Sequence, residues 1–418
     1  MSVRPFGKLL ALCVAQTGEE FLWDVAYYDG RYYLYFGIMP ALVFYLPFYL
    51  LTGASFPCGV AILVSCLAFQ AGIASLVSVF ARTRFSRTSV GAGGLVCAGA
   101  IGCAMLPVVL LHATVYMLPI MMGAAFAVWG LRAYAQVALR GAGPIMLLLG
   151  SLAMALVFGC RPQLGILVLA VIPAAVVLLR RTEAKAAGIV CAAVPFVVVG
   201  VLLCAYNAAR FGSPFDFGAN YNLTTNDMTL RPGATVGALI EGTFAYLFQP
   251  SNVAMRFPFL LPAEQTGSYV GLTIIEPVFG GAFAVLPFLW VIPLVLRRAR
   301  EHKVAVGVVG GLVACAVVVA LFDTVAAGIL ERYFLDFGFM LGLAAAYAWM
   351  HVCDNGRELL VPGWISRGAL IAACVASAGY LFLLVLTMFG YESGATSGYL
   401  QHDPTMWAQL KDTFQFWT

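Results

Sequence analysis

Two stretches of this chain, Val304–Phe322 and Gly368–Phe389, contain no charged residue and are apolar on every helical face. Each has about the 20 residues that an α-helix needs to cross the hydrocarbon layer of a bilayer. In lipid, every backbone N–H and C=O must find its partner within the protein, so only helices and closed barrels cross. A barrel strand would alternate polar and apolar residues over short segments, which these runs do not. The chain therefore has to be built from membrane-spanning helices. Composition extends this to the whole molecule: of 418 residues, 62 % are hydrophobic and 10 % charged, against roughly 45–50 % apolar and about 25 % charged in a soluble domain.

Apolar runs of adequate length predict spans at 56–80, 89–111, 116–139, 141–160, 163–179, 186–206, 278–296, 304–322, 333–352 and 368–390. The expected fold is an all-α, polytopic transmembrane bundle of about ten spans. Basic residues fix its orientation. Arg82, Arg84 and Arg87, then Arg132 and Arg140, then Arg180, Arg181 and Lys185, then Arg297, Arg298, Arg300 and Lys303, and last Arg357 and Arg367 occupy alternate connections. By the positive-inside tendency those connections are cytoplasmic. The long 207–277 segment and the C-terminal tail are then expected outside a multi-pass cell-membrane protein. This gives five regions: an outer juxtamembrane segment of interfacial helices over 1–55, a first helix group over 56–206, an outer loop or cap over 207–277, a second helix group over 278–390, and an outer tail over 391–418.

The same parity puts Met1 outside with no preceding span. The apolar stretch Phe6–Val14 is too short to serve as one and carries Lys8, so the sequence reads as one helix short at its start. Between that point and residue 56 the chain is crowded with aromatics, including Trp23, Tyr27, Tyr28, Tyr32, Tyr33 and Tyr35. Rings with one polar edge favour the headgroup layer, so this segment is expected to lie in the interface.

Several function classes are excluded by absence of pattern. The net charge of +4 is small and dispersed, and no basic block is interleaved with aromatics, so nucleic acid is not a partner. The eleven Cys form no CxxC pair and the four His no HExxH, which removes structural zinc and zinc hydrolysis. Gly91-Ala-Gly-Gly lies inside a span and follows no strand, so it marks close helix packing and no nucleotide site. Asn222-Leu-Thr224 fits the glycosylation pattern, but so short a motif arises by chance and takes no role.

What remains is polar residues at outer helix ends. Arg161, Arg210 and Arg332 stand where basic residues are disfavoured. A guanidinium binds phosphate oxygens in pairs and tolerates partial burial, so the three could hold a lipid-linked phosphate. Snorkelling and local pairing, as of Arg332 with Glu331 or Asp336, is the competing account. Asp24 and Asp29 in the aromatic segment, and Asp216, Asp227, Glu241, Glu264 and Glu276 in the long loop, offer carboxylates on the same expected side. One of them beside a phosphate site could remove a proton from an acceptor hydroxyl; each taken singly reads first as a solvated surface charge, since the sequence gives no geometry.

The stretch Trp23-Asp-Val-Ala-Tyr-Tyr-Asp-Gly-Arg-Tyr-Tyr-Leu-Tyr-Phe-Gly-Ile-Met-Pro, with Arg161-Pro-Gln, Tyr206-Asn-Ala-Ala-Arg-Phe-Gly-Ser-Pro and Glu331-Arg-Tyr-Phe, resembles bacterial GT-C membrane glycosyltransferases. These are relatives of protein O-mannosyltransferases and of the lipid A aminoarabinose and galacturonic acid transferases. The resemblance implies transfer of a sugar from a polyprenyl-phosphate donor at the outer membrane face, with a first-loop carboxylate as base and arginines near the outer helix ends on the donor phosphate. In that family the base follows the first helix, the part this chain reads as lacking; Asp24 and Asp29 are the candidates left to it. Arg161, Arg210 and Arg332 are the candidate phosphate ligands, with Asp216, Glu331 and Asp336 in support. Membrane lipid and the lipid-linked sugar are the expected partners, and a divalent metal, the sugar, the acceptor and protein partners stay open. A flippase for lipid-linked saccharide, or a polysaccharide polymerase, is the alternative.

Overall fold

The computed structural model describes residues 24–34, 37–111, 113–183, 185–223, 235–263, 278–297, 302–355, 363–390, 409, 412 and 413. Glu19, Glu20, Trp23, Asp227, Glu264 and Glu276 lie outside the described residues. The first element is a hairpin: β1 (Ala26–Tyr28) and β2 (Arg31–Tyr33) pair antiparallel with Tyr28 opposite Arg31. Asp29 and Gly30 have φ of 49° and 70°, and positive φ at both central positions is what a two-residue type I′ turn demands and what Asp-Gly supplies. Over 26–33 the chain is therefore a strand hairpin where the sequence suggested interfacial helix. The aromatic pairs on either side of Asp-Gly alternate faces as strands do, with a periodicity of two. Helix begins later, with a π-helical turn over Ala41–Tyr45 that continues as α1 (Leu46–Thr52) and ends on left-handed Gly53. Leu50 and Leu51 there are 73 % and 85 % exposed, apolar surface of the kind that faces lipid.

The helices α2 (Cys58–Thr83), α3 (Val90–Gly102), α4 (Leu106–Leu111), α5 (Met117–Arg140) and α6 (Pro144–Val157) follow. A 3₁₀ stretch, Pro162–Ala170, runs on into α7 (Val171–Arg181), and α8 (Lys185–Phe211) comes next. Within the expected outer loop stand α9 (Val236–Leu247) and the small hairpin of β3 (Asn252–Val253) and β4 (Leu260–Leu261). The chain closes with α10 (Ala282–Val285), a 3₁₀ turn over Pro287–Trp290, α11 (Val291–Leu296), α12 (Lys303–Ala327), α13 (Phe334–Asn355) and α14 (Gly363–Gly390). Ser89 and Thr235 cap α3 and α9, each accepting from the backbone N–H three residues on.

Among the described residues, seven helical stretches are long and apolar enough to cross a membrane. This is a polytopic helical membrane protein. All ten predicted spans contain helix, and the three that fall short do so for local reasons. The 89–111 run splits at Met105, whose φ is 44°. The 141–160 run is helical only over Pro144–Val157. The 278–296 run breaks at Leu286-Pro287, where proline starts a new 3₁₀ turn.

The chain divides into two compact units, Met1–Ala61 with Leu118–Gly233 and Ile62–Met117 with Ala234–Thr418. In the first, α6 packs along α8 and against α5; a Cβ on Gly150 would come within 2.9 Å of the Tyr134 ring. In the second, α13 is the central element, packed by α12 and α3. A Cβ at Gly338 would meet the Cys103 carbonyl oxygen at 2.5 Å, and one at Gly342 the Ala100 oxygen at 2.8 Å. Small residues let these backbones approach, which is how helices associate where lipid supplies no hydrophobic drive.

Candidate functional site

In the first unit the polar residues gather where the N-terminal hairpin meets the end of α8. Ala26 and Tyr33 turn inward onto Phe211, with Tyr28 and Tyr221 completing the cluster. The rings of Tyr28 and Tyr33 meet Phe211 edge-on at 5.7 and 5.3 Å, the arrangement that ring quadrupoles favour. Arg210 is 8 % exposed. Its Nη1 donates to the Leu34 carbonyl at 2.7 Å and its Nη2 to Asn207 Oδ1 at 2.8 Å. The guanidinium carbon lies 3.9 Å over the Tyr206 ring and 4.6 Å over Phe211. Nη1 thus ties the end of the hairpin to the helix, while Nη2 is held by Asn207 one turn back in α8 itself.

Asp216 is likewise used inward. Its Oδ1 accepts from the Gly218 N–H and its Oδ2 from the Tyr221 hydroxyl, both at 2.8 Å, which shapes the turn after α8. The bond to that carboxylate pushes the Tyr221 phenol up from its ordinary value, since the neutral form is the donor. Asp29 is exposed at the hairpin turn. Asp24 is half-buried, with φ at 59°, and its Oδ1 accepts from Asn222 Nδ2 at 2.8 Å.

Arg161 is half-buried and precedes the 3₁₀ stretch Pro162–Ala170 as its N-cap. Its carbonyl accepts from the Leu164 N–H at 3.1 Å, so the residue is built into the start of the Pro162–Arg181 span.

In the second unit the polar residues gather between α12 and α13. Tyr246 of α9 is fully buried; its hydroxyl accepts from the Leu330 N–H at 3.0 Å and points its proton at the carbonyls of Gly328 and Leu330. A single side chain therefore fixes the three residues that precede Glu331. Glu331 is 3 % exposed, and its Oε2 accepts from the Phe279 N–H at 3.2 Å. Arg332 is half-buried, its guanidinium carbon 5.1 Å from the centre of the Tyr116 ring and 5.4 Å from that of Tyr333. Asp336, in the first turn of α13, is completely buried, as is Thr324; Asp323 is nearly so.

The structure thus sets Asp24, Arg210 and Asp216 around the hairpin and the end of α8 in the first unit, and Glu331, Arg332 and Asp336 around the start of α13 in the second. Sequence reasoning missed Asn207, Asn222, Tyr246 and Asp323. A signal existed for Asp323, a carboxylate ending an apolar run. For Tyr246 and Asn222 there was none, because their partners lie 84 and 198 residues away. Among the described residues, no group of three or more His, Cys, Asp or Glu could hold a metal ion.

No family model matches this chain, and no curated protein matches it. Among solved structures the chain is similar to the crystal structure of ArnT from Cupriavidus metallidurans bound to undecaprenyl phosphate, at 16 % identity and a TM-score of 0.42, over 90 % of this chain and 70 % of that one.

Proposed function

We propose that this protein is a membrane glycosyltransferase that moves a sugar from a polyprenyl-phosphate donor to an acceptor at the outer membrane face. The observation that carries the reading is the shared setting of Arg161 and Arg332. Each stands at or just before a 3₁₀ turn that opens a membrane-length helix: Arg161 before Pro162–Arg181, Arg332 within the turn that starts Glu331–Asp354. A helix N-terminus carries partial positive charge and attracts anions, whether carboxylates of the protein, as Glu331 and Asp336 at the Arg332 end, or a phosphate. The first N–H groups of a helix and a guanidinium fork beside them are together the elements of a phosphate site. Arg332 is backed by two tyrosine rings, and a guanidinium held by its faces presents its N–H donors at the rim.

Arg210 stands at the other kind of helix end, the C-terminus of α8, where a cation is favoured without any ligand. We assign it to scaffolding and leave the donor phosphate to Arg161 and Arg332. The resemblance of the Trp23–Pro40, Arg161-Pro-Gln and Glu331-Arg-Tyr-Phe segments to GT-C enzymes supports the same reading, with Asp24 as the base.

The test is purified protein given a labelled polyprenyl-phosphate sugar. Release of free polyprenyl phosphate is the expected result. Movement of intact donor across a vesicle membrane without release would replace the transferase by a flippase. Arg161→Ala and Arg332→Ala should each weaken donor binding; unchanged affinity in both removes the phosphate assignment.

A further inference from the structure

We infer that Asn222 is a positioning residue that holds the Asp24 carboxylate in its working orientation; this rests on the glycosyltransferase reading above. Asp24 adopts a left-handed backbone, φ 59°, a region Asp enters more readily than most non-glycine residues, and contacts with its surroundings hold it there. Three contacts from one short segment do so. The Asp24 N–H donates to the Leu223 carbonyl at 2.7 Å, the Leu223 N–H donates to the Val25 carbonyl at 3.1 Å, and Ala26 forms an isolated antiparallel bridge with Asn222. Residues 222–223 therefore act as a third strand beside the hairpin, and this register points the Asn222 amide at Asp24, Nδ2 to Oδ1 at 2.8 Å. The segment itself is fixed from below: Asp216 ties down Gly218 and Tyr221, and Tyr221 lies 4.6 Å from Tyr28 ring to ring.

A donor on one carboxylate oxygen selects which oxygen and which lone pair remain for chemistry. In the transfer, the acceptor oxygen forms a bond to the anomeric carbon while the carbon–oxygen bond to the polyprenyl phosphate breaks and its electron pair leaves on that phosphate. The acceptor proton goes to Asp24. An amide 198 residues away in sequence sets the angle of that proton transfer. Turnover should then be sensitive to Asn222 even though the side chain touches no reacting atom, since a displacement of about 1 Å at a reacting group can lower a rate by about 10²-fold.

The experiment exchanges the two side chains. Asn222→Ala should lower kcat at least tenfold with little change in donor KM, and Asn222→Asp should lower both kcat and thermal midpoint by setting two carboxylates against each other. The double variant Asp24→Asn with Asn222→Asp restores one carboxylate and one amide in the same hydrogen bond. It should recover the thermal midpoint of the parent and remain inactive, because the carboxylate is on the wrong segment. Recovery of turnover in the double variant, or unchanged kcat in Asn222→Ala, overturns the positioning role. Failure of the double variant to regain its midpoint overturns the pairing itself. A parent protein that releases no polyprenyl phosphate overturns the transferase reading and this role with it, while the midpoints still report the contact.

Discussion

α8 and α13 are both membrane-length helices with an arginine at one end, yet they are made differently. In the most apolar stretch of the span Lys185–Phe211, 17 % of residues are buried within the protein; in that of Glu331–Asp354 the share is 94 %. The more apolar helix is the one left to lipid. The helix sealed inside the protein carries Glu331 and Asp336, because protein groups satisfy polar atoms that hydrocarbon cannot. Their arginines differ to match. Arg210 at the C-terminus of α8 spends both terminal nitrogens on Leu34 and Asn207. Arg332, at the N-terminal side of α13, is gripped by ring faces. The two arginines thus occupy opposite kinds of helix end and meet different groups, which is what the proposed division of roles rests on.

That contrast can be broken at its strongest point with one residue. Gly338→Leu in α13 drives a side chain into the Cys103 backbone and should cost more than about 4 kcal/mol, leaving no cooperative melt in detergent. Arg210→Ala should come next, with about 3 kcal/mol lost from the thermal stability of the first unit as two charge-assisted bonds and their ring contacts vanish. Tyr246→Phe leaves the Leu330 N–H unanswered in a buried site and should lower stability by about 1–3 kcal/mol, read by thermal denaturation. Arg332→Ala should change stability less than these and donor affinity more, by about tenfold, read as binding of labelled lipid. If Arg210→Ala weakened donor affinity and Arg332→Ala only stability, the assignment of the two helix ends would be reversed. At the small end, Gly200→Leu in α8 meets nothing within 4 Å and should stay within about 0.5 kcal/mol of the parent.

Much of the helical framework could be read from apolar run length, since Val304–Phe322 and Gly368–Phe389 fall inside α12 and α14. The hairpin was also written in the sequence. Tyr-Tyr-Asp-Gly-Arg-Tyr-Tyr has a turn dipeptide flanked by paired aromatics, and the weight given to the aromatics as interfacial groups hid the period of two. The site was less legible. Asp24, Arg210, Glu331 and Arg332 stood out as polar residues in an apolar chain, but their partners did not. Asn222 sat in a motif with no assigned role, Asn207 within an apolar helix, and Tyr246 among the aromatics of a long loop.

By itself, the sequence determined that the chain crosses a membrane as helices, because the backbone's demand for hydrogen bonds in lipid admits no other solution for such runs. It also determined which few residues are electrostatically out of place. Only the tertiary structure decided what each of those does. Asp216 became a loop tie, Arg210 a hairpin anchor and Asp24 a carboxylate held by a remote amide. Hydrogen bonds reach about 3 Å and take no account of separation along the chain, so the partner that gives a polar residue its role is set by folding.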